Sequence, residues 1–147
     1  LEDDTNKYRE FPDFIELPDN ADLLYIGTSI YGYNHSIKWA DLNVFTENVG
    51  DRTDLYRIFN MLSTHGFIVI SMQGAMYVKE SMEKSVKKNI IWDNIFAGNQ
   101  SHYNVYCLKS PLIYQDGKVG GHEDATKREL NLKLLNIKIP PNYIIHK

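Results

Sequence analysis

Three adjacent carboxylates, Glu2-Asp3-Asp4, follow Leu1 and form the densest cluster of reactive groups in the sequence. Like charges side by side repel, so such a run is tolerated in water or around a cation. Hard carboxylate oxygens suit Mg²⁺ or Mn²⁺, including an ion that holds a pyrophosphate. The plainer alternative is a solvated acidic segment, the usual state of a charge run. A further carboxylate, Asp93, stands within Ile90-Ile91-Trp92-Asp93-Asn94-Ile95-Phe96. Apolar neighbours disfavour the ionised form and so favour a raised carboxyl pKa, a property useful to a general base. Its alternative is a helix cap or an exposed turn residue. His122 lies in the glycine-rich stretch Gly120-Gly121-His122-Glu123-Asp124, and His65 lies between Thr64 and Gly66 just ahead of an apolar run. Either can be a ligand. Equally, His122 can be solvated beside a helix capped by Asp124 or Thr126, and His65 can be structural. Tyr31, Tyr33 and Trp39 have flat faces that could stack on a sugar, or simply cover a core. Gly120-Gly121 lacks the spacing of a phosphate-binding fingerprint, and neither a nucleophile elbow nor a His-x-x-x-His zinc pattern is present.

The elements that must position these groups alternate. Asp22-Leu23-Leu24-Tyr25-Ile26-Gly27 predicts a buried strand after the turn Leu17-Pro18-Asp19-Asn20, and Phe11 to Leu17 allow one short helical turn. Residues 28–48 lack periodicity and predict a long loop with a short strand near Leu42 to Phe45. Phe67-Ile68-Val69-Ile70-Ser71 predicts a strand, rich in β-branched residues. A helix then starts at Ser71, with an apolar stripe through Gly74 to Val78, Met82 and Val86. Lys79, Lys84, Lys87 and Lys88 gather toward its end, where the dipole favours cations. A second short helix is expected over Ile90 to Phe96, a strand over Asn104 to Leu108, and a helix over Lys127 to Leu135 before Pro140-Pro141. Strands alternating with helices predict α/β organisation.

With 147 residues, 43% of them hydrophobic and 24% charged, the chain has the balance of one globular domain or part of one. A net charge of −3 without a Lys/Arg stripe argues against nucleic acid as a partner. Cys107 is the only cysteine, which excludes an internal disulfide and a multi-thiolate metal site. No apolar run approaches a membrane span. The expected location is cytoplasmic, or the host cytoplasm for a viral protein.

Several segments, in order, resemble glycosyltransferase family 25, the group of lipooligosaccharide and collagen galactosyltransferases. Leu1-Glu2-Asp3-Asp4 is similar to that family's acidic metal motif. Leu17-Pro18 with Asp22-Leu23-Leu24-Tyr25-Ile26-Gly27 is similar to its next conserved stretch. Thr64-His65-Gly66-Phe67-Ile68-Val69-Ile70-Ser71 with Gly74-Ala75, and Asn104 to Leu108 with Pro111-Leu112 and Gln115, resemble its later strand-to-helix and strand segments. The resemblance covers most of residues 1 to 115. It implies a GT-A-like mixed sheet flanked by helices, with residues 1–139 as the C-terminal part of such a domain and 140–147 as a tail. The implied activity is metal-assisted transfer of a hexose from a nucleotide diphosphate sugar to a saccharide or other hydroxyl acceptor. By the same resemblance Asp4 binds Mn²⁺ or Mg²⁺, Glu2 sits by the ribose or a metal-bound water, and Asp3 supports them. His122 adds a metal ligand by closing over the nucleotide, and Asp93 takes the acceptor proton if the reaction inverts. The chain departs from the family in lacking the nucleotide-binding strands that precede the acidic motif, so a missing N-terminal segment of the same domain is expected. The chain also resembles tailed-phage proteins of this type. The alternative reading is therefore a non-catalytic binding or structural module on a glycosyltransferase-like fold.

Overall fold

The computed structural model describes residues 5–29, 31–33, 40–41, 44–62 and 64–115. The expected helix over Lys127 to Leu135 and the 140–147 tail lie outside them. Among the described residues nine strands and two α-helices follow in the order β1 (Thr5–Lys7), β2 (Leu23–Tyr25), β3 (Gly32–Tyr33), β4 (Ala40–Asp41), β5 (Thr46–Asn48), β6 (Leu55–Ile58), β7 (Phe67–Val69), α1 (Met72–Lys88), α2 (Trp92–Asn99), β8 (Val105–Leu108) and β9 (Ile113–Gln115). A five-stranded mixed sheet runs β5-β6-β8-β2-β7, with β2 and β8 as its parallel pair and antiparallel pairing elsewhere. The organisation is α/β, as the alternation predicts.

The unbroken apolar runs of β2 and β8 reflect a sheet covered on both faces. Side chains alternate across a strand. Leu23, Tyr25, Val105 and Cys107 therefore join one cluster with Tyr77 of α1 and Phe96 of α2. Leu24, Tyr106 and Leu108 join the other with Ile26, Leu55, Leu112 and Ile113, beneath Ile15 and Leu17. On the helical side Tyr103, Tyr77 and Phe96 stack in sequence, at 4.1 and 4.5 Å between centroids. The buried Tyr77 hydroxyl donates to the Phe96 carbonyl, which satisfies its polar end.

α1 begins where the sequence indicates. Ser71 is its N-cap, its hydroxyl accepting from the Gly74 amide at 3.0 Å, and Asn89 closes it in the left-handed conformation, φ 50°. The same hydroxyl donates to Asp22 Oδ1 at 2.6 Å, and the Asn104 amide donates to Asp22 Oδ2 at 2.9 Å. One buried carboxylate thus ties the amino ends of β2, α1 and β8 together. Gly74 packs so tightly on the Asp22 carbonyl that a Cβ there would collide with it. The apolar stripe expected through Met82 and Val86 is corrected by the structure. The buried face runs Gly74, Tyr77, Ser81, while Met76, Met82 and Val86 stand exposed. The helix touches the sheet through this close glycine contact, which turns the small side of the helix inward.

Two further expectations change. Residues 11–17 form no helical turn; Ile15 and Leu17, two apart, pack on the sheet from an irregular segment, and Phe11 and Phe14 are exposed. Within 28–48, the described residues carry β3, β4 and β5. The buried Asn60 side chain holds this stretch, accepting from the Phe45 amide at 2.7 Å and donating to the Tyr33 carbonyl at 3.0 Å. The strand expected at Leu42 to Phe45 is found just after it, as β5. Among the described residues no helix is long and apolar enough to cross a membrane.

Candidate functional site

The parallel pair gives the sheet a defined carboxyl edge, the side on which open α/β sheets place ligands. At the end of β2 the chain passes through Ile26 and Gly27. Gly27 is bridged to Ile113 beside β9, and the amides of Ile26 and Gly27 donate to the Gly66 carbonyl at 3.1 and 3.2 Å. The His65 imidazole, 1% exposed, lies directly against Gly27; any side chain at that position would overlap the ring. Only glycine lets the strand end and the histidine share this space.

Asp93 faces the same corner. It sits in the first turn of α2, where a negative charge meets the positive end of the helix dipole. The capping alternative does not hold, because Ile91 is the N-cap and makes no side-chain cap. Asp93 Oδ1 instead accepts from the Thr64 hydroxyl at 2.8 Å. The apolar run around Asp93 does not enclose it as the sequence suggests. Ile90 and Ile91 face solvent, Phe96 enters the core, and the carboxylate is half-buried. Its charge reaches inward: burial first, then Asp93, pushes the Tyr25 phenol well above its ordinary value. Tyr25 is therefore held neutral. Its hydroxyl accepts from Gln100 Nε2 at 3.1 Å, and Gln100 also exchanges bonds with both backbone groups of Met61, at 2.7 Å each. This fully buried amide fixes the floor of the corner, a role that a glutamine in an unremarkable polar stretch does not announce in sequence.

Thr5, the residue that follows the acidic motif in sequence, is bonded at the same corner. Glu2, Asp3, Asp4 and His122 lie outside the described residues, as do Trp39 and His35. Thr5, next in sequence after Asp4, begins β1, and its hydroxyl donates to the His65 carbonyl at 3.1 Å. β1 pairs antiparallel with β9, Thr5 opposite Gln115. Thr64 and His65 thus link two segments far apart in sequence, Thr64 binding Asp93 and His65 binding Thr5. Tyr31 and Tyr33 lie partly buried on the β3 segment. Among the described residues no three His, Cys, Asp or Glu side chains converge as a metal cluster.

No known family model matches the chain, and neither a curated protein nor a solved structure is significantly similar to it.

Proposed function

We propose that the chain carries the catalytic corner of a metal-assisted hexosyltransferase of the GT-A type. In this reading a nucleotide diphosphate sugar is the donor and a saccharide or other hydroxyl compound the acceptor. Asp93 accepts the proton of the attacking hydroxyl, and the Thr64 hydroxyl positions the carboxylate through its 2.8 Å bond. Asp4, with Glu2 and His122, would hold Mn²⁺ or Mg²⁺, with Asp3 in support; a bound ion would neutralise charge on the leaving diphosphate.

The observation that carries the reading is the double link through Thr64 and His65. It brings Asp93 and the residue following the acidic motif to one carboxyl edge of the sheet. In hexosyl transfer an acceptor hydroxyl is helped by a base and a leaving diphosphate by charge neutralisation, and Asp93 and the acidic motif are the groups suited to these two tasks. Calorimetric titration with Mn²⁺ and UDP tests it: the expected outcome is Mn²⁺-dependent UDP binding that Asp4→Ala abolishes. Absence of binding, or binding indifferent to that substitution, would leave the non-catalytic module as the better account.

A further inference from the structure

A concavity opens at the carboxyl end of β8, about 570 Å³ in volume, between the 9–16 segment, the 52–54 turn and residues 108–110. Its size falls in the range of small-molecule sites, roughly 300–1,000 Å³. Two features set it apart from an incidental groove. Phe14 is 79% exposed and Phe11 51% exposed, so two aromatic rings of one short segment stand in water at its wall. Around them lie side chains of both signs, with the hydroxyls of Thr53 and Ser110.

The charges are already answered within the wall. Arg52 grips Asp54 with two bonds, at 2.8 and 2.7 Å, and lies 3.9 Å from Glu16. Glu10 pairs with Lys7 at 2.5 Å. Lys109 donates to the Arg52 carbonyl at 3.2 Å and lies over the Tyr56 ring at 4.3 Å. Arg9 donates to the Pro111 and Ser110 carbonyls, at 3.1 and 2.6 Å. With Arg9, Arg52 and Lys109 against Glu10, Glu16 and Asp54, the lining is neutral, so an anionic or cationic ligand would meet as much repulsion as attraction. A neutral polyol fits better. Its hydroxyls both donate and accept, so they can bond carboxylate and guanidinium neighbours without displacing the internal pairs. Its C–H face covers an exposed ring that is otherwise in water.

We infer that this cleft is a binding site for a neutral saccharide, with Phe14 as the principal stacking platform and Phe11 beside it. The site stands apart from the Asp93 corner and does not depend on the activity proposed for it. The test is capture of the whole chain on immobilised neutral, sialylated and phosphorylated oligosaccharides. The expected result is capture by neutral glycans, weakened at least tenfold by Phe14→Ala and kept by Phe14→Trp. The exposure of Phe14 makes an unchanged melting temperature the expected control. No capture by neutral glycans, capture confined to charged ones, or equal capture by a Phe11→Ala/Phe14→Ala variant would each overturn the proposal.

Discussion

Cys107 lies at the centre of the sheet with no exposed surface, opposite Tyr25 on the parallel pair. Burial pushes its thiol up to about 12 from an ordinary 9.0. A thiol is a nucleophile only as thiolate, so native Cys107 should resist an aromatic disulfide reagent at pH 8 and react fully once denaturant opens the sheet. Its neutral form is also linked to stability. Because the folded pKa lies above the unfolded one, the contribution is complete below pH about 9 and is lost as pH rises toward about 12. Tyr25, raised by burial and then by Asp93, acts in the same sense above its ordinary 10.0. Denaturant melts across pH 8 to 12 should therefore show a midpoint that falls steadily, with a shallower fall in Cys107→Ala. At this scale the sequence was candid about Cys107, which stands inside an apolar strand, and misleading about Asp93, whose apolar neighbours do not enclose it. It was silent about Asp22 and Gln100, because their partners stand 49 and 39 residues away and no local pattern announces such bonds.

The seam between α1 and β2 shows how elements are fixed to one another. Gly74 lies on the Asp22 carbonyl, and that carbonyl is itself held by the Ile70 amide at 2.9 Å. The backbone there has no slack to accept a methyl group. Gly74→Ala should improve helix propensity yet destabilise the fold by about 1–3 kcal/mol through overpacking, read as a lower midpoint in urea. An unchanged midpoint would mean that α1 slides on the sheet. Ser71 as N-cap was legible because a capping serine directly follows a β-branched strand. The buried face of α1 was not, since apolar spacing favoured Met82 and Val86 and the contact is made by a glycine. β6 and the β1–β9 ribbon were hidden for another reason. Their pairing joins residues as far apart as Thr5 and Gln115, and register of that range is decided by the sheet, not by local sequence.

Taken as a whole, the molecule has two unlike ends. At the amino end of the parallel pair, Asp22 clasps three elements. At the carboxyl end, strand termini, the Thr64–Asp93 pair and the aromatic cleft present partly exposed groups on the side where α/β sheets bind small molecules. The α/β class and the central strands were readable because runs buried on both faces are apolar throughout. The cleft was not, because Phe11 and Phe14 look like the apolar face of a helical turn, whereas the chain around them is irregular and leaves both rings exposed. The central claim concerns Asp93, and turnover tests it most directly. Transfer of radiolabelled hexose from UDP-galactose or UDP-glucose to a saccharide acceptor should require Mn²⁺ or Mg²⁺. Asp93→Asn should lower kcat by about 10²–10⁴-fold with only a small drop in melting temperature from the lost charge at the start of α2. Metal-dependent transfer that proceeds at the parent rate in Asp93→Asn, or no transfer from either donor, would contradict the account.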